Sequence, residues 1–404
     1  MILEFSIVNM LSFKEKVVFS MIANSSDGLN NNYVEINDKK ILKTSAIYGA
    51  NASGKSNLFK ILNTIILMLK NSNNLDINSK LPIIPFKFDK ENKPSEFEIK
   101  LIIDEIRYVY GFVADKEKIY EEYLYYYPNG RETKIFDRTN INEYTYNQKD
   151  ERKLKEIINK NSQNKFFLST ATNWNFEKTK PVYDFLTRGI RTCFNLETLK
   201  AQALKEYAIK ENLKEFALDF LKKADFNIED YKVVEFGPPE EIILEMGYYI
   251  RESSKQHQFL FKHKGTENYL NLDEESLGTQ MIFSLIPFIA DTINNKKILV
   301  IDELDKSLHP FLVHYIVEMF NDPEINKNQA QLIFNTHDTN LLDLNILRRD
   351  QIWFVEKSNE NGESNIYPLS DFSVRKSENI EKGYMLGRYG AVPFIKNDLN
   401  LWQE

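Results

Sequence analysis

The sequence predicts an α/β chain. A mixed sheet with flanking helices is built around a glycine-rich loop, with a β-rich lobe beside it and a helical subdomain inserted. Three observations predict this. First, "GANASGKS", residues 49–56, stands between the apolar run "TSAIY" and an amphipathic stretch. Second, "KKILVID", "QLIFNTH" and "QIWFVEK" are apolar through their centres, as strands covered on both faces are. Third, residues 83–145 are β-rich; within them "FEIKLII" and "RYVYGFVA" alternate strictly around a turn-forming "DE", as a hairpin would.

Taken in order, the chain opens with "EFSIVNM" and "KVVFSMI", two short strands around the turn-like "LSFKE". The polar "ANSSDGLNNN" reads as a loop. "NLFKILNTIILMLK" has apolar residues at 58, 61, 62, 65, 66 and 69, the spacing of one helix face. From about 146 to 230 the pattern becomes helical and charged, as in "LETLKAQALKEYAIKENLKEFALDFLKKA". The stretch is too short, and its heptads too poor, for a long antiparallel coiled coil. The expected division is an N-terminal lobe at 1–145, a helical insertion at 146–230 and a C-terminal lobe at 231–404.

Composition narrows the class. At 404 residues the chain exceeds one ordinary domain. A net charge of −7 excludes a generally basic surface for nucleic acid, though not a local basic groove. The single Cys193 excludes an internal disulfide framework or a cysteine-cluster metal site and fits a reducing compartment. "LFKILNTIILML" and "MIFSLIPFIA" fall short of a membrane span, which needs roughly 20 apolar residues. The start has no leader-like pattern. A cytoplasmic chain without a membrane partner is expected.

Four stretches carry chemistry. "GANASGKS" fits G-x-x-x-x-G-K-[ST]. Gly49 and Gly54 let the backbone through Ala50, Asn51, Ala52 and Ser53 curl so that its amides face a β-phosphate. Lys55 would neutralise β/γ oxygens, Ser56 would offer a hydroxyl to Mg²⁺, and Asn57 opens the helix whose N-terminus favours anions. "ILVIDE" ends a buried strand in two acids: Asp302 to hold Mg²⁺ and Glu303 to orient and deprotonate the attacking water. "FNTH" places His337 just after another buried strand. "DEESLGTQMIF" reads as the start of a helix whose free amides make an anion site at Ser276 and Gly278. Taken alone it reads as a plain helix cap at Ser276; beside the other three motifs it reads as the anion site.

With these motifs in this order, the chain resembles the ABC-type ATPase heads of RecF and the structural-maintenance-of-chromosomes (SMC) proteins over residues 1–70 and 255–360. More narrowly it resembles the compact ATPases of AAA family 15, related to the ATPase halves of OLD-type nucleases. "MILEFSIVNMLSFKEKV", "IYGANASGKSNL", "ESLGTQ", "IDELDKSLHP" and the ending "GYMLGRYGAVPFI" carry that resemblance. It implies an ABC-type head that hydrolyses ATP with Mg²⁺ and dimerises by sandwiching ATP, as a homodimer or higher assembly. It implies that Ser276, Gly278, Thr279 and Gln280 form a signature serving the partner's nucleotide, that Lys306 to Pro310 cross the interface, and that His337 is the switch residue. It also implies work with a separate effector, such as a Toprim-type nuclease, in bacterial anti-phage defence of the PARIS or restriction-linked kind. About 45 residues follow "QIWFVEK", too few for a Toprim domain, so nuclease activity is expected in another chain.

The expected glutamine sensor has no clear counterpart, since Gln148 and Gln163 lie in polar sequence without a preceding strand. An alternative is a RecF- or SMC-like ATPase acting on DNA, for which "ERKLKEIINKNSQNK" is the candidate surface. A transporter subunit is disfavoured, because such subunits usually show a clear glutamine loop.

Overall fold

The protein is described by a computed structural model covering residues 1–24, 28–89, 93–210, 213–224, 226–236, 241–245, 248–252, 256–375 and 377–393. Phe394 and Ile395, the last two residues of the ending noted above, lie outside the described residues.

The apolar runs converge on one six-stranded sheet. Numbered in chain order, its strands are β5 (Thr44–Tyr48), β11 (Ile190–Cys193), β17 (Ile298–Ile301), β18 (Gln331–Asn335), β19 (Ile352–Lys357) and β20 (Ser364–Pro368). The order is β11-β17-β18-β5-β19-β20, parallel except for β20. Alternation explains the continuous apolar sequence. Ile47, Ile298, Val300, Ile333 and Val355 face one core, while Ala46, Leu299, Ile301, Phe334 and Phe354 face the other.

The first core is roofed by a seven-stranded antiparallel sheet: β1 (Ile2–Val8), β2 (Val17–Ser20), β6 (Ser95–Ile103), β7 (Ile106–Ala114), β8 (Ile119–Tyr127), β9 (Thr133–Thr139) and β10 (Glu143–Tyr146). As read from the sequence, Asp104 and Glu105 form the turn between β6 and β7. Both have positive φ, 47° and 64°, which suits the twist of a two-residue hairpin. Helix α1 (Lys55–Asn71) lies in this core, and the six positions read as its apolar face, Leu58, Ile61, Leu62, Ile65, Ile66 and Leu69, are all buried.

The second core is closed by α5 (Leu196–Ile209), α6 (Leu213–Lys223), α7 (Leu277–Asn294) and α8 (Pro310–Asn321), together with a small sheet of β12 (Ile228–Phe236), β15 (Gln256–His263) and β16 (Tyr269–Asn271). Two hairpins, β3–β4 (Tyr33–Ile36, Lys39–Leu42) and β13–β14 (Glu241–Glu245, Tyr248–Glu252), and the short helices α2 (Glu151–Ile158), α3 (Phe167–Asn173), α4 (Lys180–Arg188) and α9 (Ile380–Met385) complete the described elements. No helix among the described residues is long and apolar enough to cross a membrane.

The segment expected as a helical insertion, 146–230, is more than an appendage. It threads β11 into the central sheet beside β17, and it ends by entering β12. "IRTC" escaped notice because this edge strand is only four residues long and two of them are polar.

Candidate functional site

Between β5 and α1 the chain makes a tight loop whose glycines are required by close neighbours. A Cβ on Gly49 would stand 2.3 Å from Val355 O. At Gly54, where φ is 114°, a Cβ would stand 2.5 Å from Ser364 Oγ and 2.8 Å from Ser12 Oγ. Ser364 Oγ donates to Ser53 O at 2.6 Å, and Asn57 Nδ2 donates to Ser12 Oγ at 2.9 Å. Ser12 and Ser364 therefore brace the loop from two other elements. Sequence reasoning missed both, since no local pattern marks a serine whose partner lies 45 or 311 positions away.

Lys55 is buried, and its Nζ donates to Gly49 O at 2.6 Å and Ala50 O at 3.0 Å. Burial pushes the ammonium down to about 8, against the opposing pull of Asp302, Glu303 and Asp305. A lysine held over a curled backbone with acids facing it is a charge arrangement that waits for an anion and a cation together.

The acids come from the end of β17. Asp302 N donates to Cys193 O on β11 at 2.8 Å. Fully buried Asn335, at the end of β18, reaches both acids: its Nδ2 donates to Asp302 Oδ1 at 2.5 Å and its Oδ1 accepts from Glu303 N at 2.5 Å. Glu303 sits at φ 56°, a left-handed conformation that an L-residue keeps only when its surroundings impose it. Asn335 was passed over in "FNTH" in favour of the histidine. A polar residue closing an otherwise apolar strand was the available signal.

His337 is exposed. Its backbone N donates to Asp305 Oδ2 at 3.2 Å. Partial burial and the Lys55 charge lower its pKa, while Asp305 and Glu303 act the other way. Lys55, Glu303, Asp305 and His337 thus lie within one another's electrostatic reach. Asp305 Oδ1 and Ser53 Oγ are buried without a protein partner among the described residues.

This donor set fits a Mg–triphosphate. No group of three or more His, Cys, Asp or Glu able to hold a metal occurs among the described residues. A cation here would draw on hydroxyl, carboxylate, water and phosphate oxygens, which suits Mg²⁺. Ser56, partly exposed at the start of α1, and Asp302, with one oxygen taken by Asn335, are the residues that would hold it.

The signature stretch packs against Ser307, just after the acids that end β17. Among the described residues, a Cβ on Gly278 finds only Ser307 O (2.9 Å) and Ser276 Oγ (3.7 Å) within 4 Å. Ser276 is the N-cap of α7, its Oγ accepting from Thr279 N at 3.1 Å. Thr279 is buried with its hydroxyl 2.9 Å from Ser276 Oγ, while Gln280 Nε2 donates to Glu275 O at 2.9 Å and its Oε1 accepts from Lys200 Nζ at 3.4 Å. The first-turn amides of Leu277 and Gly278 have no carbonyl inside the helix to bond, and Leu277 is 62% exposed.

One candidate was invisible in the sequence. The chain leaves β11 through Phe194 and Asn195, which line the same cleft as Asp302, Glu303, Lys306 and Ser307. Asn195 is exposed, and its side chain accepts from Thr198 N at 2.9 Å. An amide thus stands in the cleft where a glutamine was sought. Gln148 follows β10, and Gln163 O accepts from Ile119 N and Arg138 Nη2.

Comparison with known families decides the class. Residues 45–343 match the model of the family described as "AAA domain, putative AbiEii toxin, Type IV TA system". The chain belongs to this family. It is therefore an ATPase of the AAA type, as the phosphate-loop and acidic-strand motifs predicted. Solved structures similar to it include an SMC head domain from Thermotoga maritima (15% identity, 91% of this chain and 98% of that one, TM-score 0.43). Another is an SMC head bound to the C-terminal winged-helix domain of ScpA (14%, 91% and 97%, TM-score 0.46). A third is an SMC head with an extended coiled coil bound to the C-terminal domain of ScpA, from Pyrococcus furiosus (16%, 96% and 98%, TM-score 0.41). No curated protein matches the chain.

Proposed function

We propose that two copies of this chain close on ATP and that hydrolysis reopens them, a cycle that governs a separate effector. The observation that carries this reading is the division of the site. Lys55, Glu303, Asp305 and His337 gather around the phosphate loop, whereas the signature turn packs on Ser307 and its first-turn amides have no partner inside the helix. A turn built that way is completed by another subunit's phosphate.

In this reading the loop Gly49–Ser56 cradles the triphosphate and Lys55 balances its charge. Glu303, with its backbone pinned by Asn335, takes the proton from the attacking water as it approaches the γ-phosphorus in line with the leaving oxygen. His337 contacts the γ-phosphate, and Asn195 orients the water. Bound Mg²⁺, held by Ser56 and Asp302, would neutralise charge developing on the phosphate oxygens. Ser276 and Gly278 would cap the partner's γ-phosphate. The effector role and a place in anti-phage defence rest on the family resemblance, and the toxin–antitoxin wording of the matched family agrees in kind.

The deciding experiment is Glu303→Gln. Turnover should fall about a hundredfold or more, and an ATP-bound dimer should accumulate by light scattering. A variant that stays monomeric with ATP rejects the sandwich.

A DNA-acting head is the second reading, favoured by one surface. Lys149, Arg152, Lys153 and Lys160 are exposed on and around α2, and Lys160 lies 3.2 Å over the ring of exposed Trp174. Salt-dependent DNA binding by the ATP-loaded chain alone would favour it.

A further inference from the structure

Three consecutive acids, Asp273, Glu274 and Glu275, stand immediately before Ser276. Carboxylates suit the start of a helix, but they repel any other anion brought to the same place. On the function proposed above, that place must receive a phosphate. The structure gives each acid its own partner. Asp273 is paired with Lys200 of α5. Glu274 Oε2 accepts from Asn271 N at 2.7 Å. Glu275, the acid next to Ser276, accepts from His263 Nε2 at 2.7 Å.

The third pair differs from the other two. The Glu275 side chain is only 5% exposed, whereas that of Asp273 is 74% exposed. Water therefore screens Glu275 least, and its charge reaches the first turn of α7 most strongly. Its partner comes from the last residue of β15, in the small sheet packed over α7 rather than in the helix itself. Glu275 O also accepts from Gln280, so the residue is tied to α7 by its backbone and to β15 by its carboxylate.

We propose that His263 is a positioning residue for the signature. It holds the Glu275 carboxylate on β15 through this hydrogen bond, which keeps the carboxylate from the amides of Leu277 and Gly278 and leaves them free to receive the partner subunit's γ-phosphate. It acts through Glu275 and touches no nucleotide. This inference rests on the sandwich reading.

The test uses the full-length chain with four variants: His263→Ala, His263→Gln, Glu275→Gln and the double variant His263→Ala/Glu275→Gln. For each, nucleotide affinity of the monomer is read by titration, and ATP-driven association by light scattering. His263→Ala should weaken association roughly tenfold, the scale of one charge-assisted hydrogen bond, with monomer affinity for ATP within about twofold of wild type. Removing the stranded carboxylate charge in the double variant should restore most of the association, and His263→Gln, a donor of different shape and reach, should fall between. A merely structural histidine predicts no such rescue. Association of His263→Ala equal to wild type overturns the proposal, as does a double variant no better than His263→Ala when Glu275→Gln alone behaves as wild type. If wild-type protein itself stays monomeric with ATP, the sandwich reading falls and this inference with it. That outcome is distinct from a wild type that pairs and a His263→Ala that pairs equally.

Discussion

The phosphate loop is gripped by residues far away in the chain, whereas the signature turn is held mostly by its own neighbours. Ser12, Val355 and Ser364 close around Gly49 and Gly54, and Asn335 fixes the two acids from the adjoining strand. The signature turn relies on Ser276 to Thr279, Gln280 to Glu275 and Asn271 to Glu274, with His263 and Lys200 as its longer ties. A site that stabilises developing charge gains by being rigid before the ligand arrives. A turn that completes another subunit's site need only be presented correctly on an exposed helix end.

The sharpest way to break this contrast is to fill a glycine in each half. Gly54→Ala should abolish nucleotide binding, weakening it more than about a hundredfold. The new Cβ meets two serines, and φ 114° is closed to alanine. Trimming Ser364 to Gly should not rescue it, because the backbone strain remains. Gly278→Val should leave monomer binding near wild type and reduce turnover by a similar factor, since its clash is with Ser307. Mixing Gly278→Val with Lys55→Ala should recover part of the activity, each copy supplying the half the other lacks. Loss of ATP binding in monomeric Gly278→Val would erase the distinction.

A smaller effect is expected at Asn335. Asn335→Ala removes two hydrogen bonds in a fully buried position and leaves Asp302 Oδ1 and Glu303 N without them. Thermal unfolding should show a loss of roughly 1–3 kcal/mol. Turnover should fall about tenfold, as Glu303 drifts from its left-handed conformation. Unchanged turnover would mean that Glu303 needs no help in keeping its place.

These residues also show what was legible in the sequence. Where the proposed chemistry demands a residue type at fixed spacing, as from Gly49 to Ser56 or at Asp302–Glu303, the one-dimensional pattern alone names the candidates. Strands β5, β17, β18 and β19 were readable because burial on both faces leaves a continuous apolar run. β11 was not, because an edge strand of four residues with Arg191 and Thr192 has no such run. Ser12, Ser364, Asn335 and the His263–Glu275 pair were hidden for a different reason. Each gains its meaning from a partner elsewhere in the fold, and nothing in its own neighbourhood distinguishes it from an ordinary polar residue.

The smallest predicted effect separates the halves by proton count. In the nucleotide-free loop the Lys55 ammonium is lowered from 10.5 to about 8 by burial. The folded loop holds this proton less tightly than the unfolded chain does, so stability without nucleotide should rise as pH climbs from about 8 toward 10.5. Triphosphate oxygens beside Lys55 favour its charged form, so ATP binding reverses the balance and takes up a proton. At pH 8.5 the free loop is roughly one-quarter protonated. Binding should therefore absorb about three-quarters of a proton, and affinity should be roughly fourfold weaker than at pH 7. Calorimetry in two buffers of different ionisation heat reads the uptake directly. Lys55→Arg, which keeps its charge throughout this range, should bind more weakly overall but with a flat profile. Gly278→Val should keep the wild-type pH dependence, because on the proposed sandwich its lesion lies in the half that meets a partner's nucleotide. A flat profile in Gly278→Val would place both halves on one subunit's nucleotide.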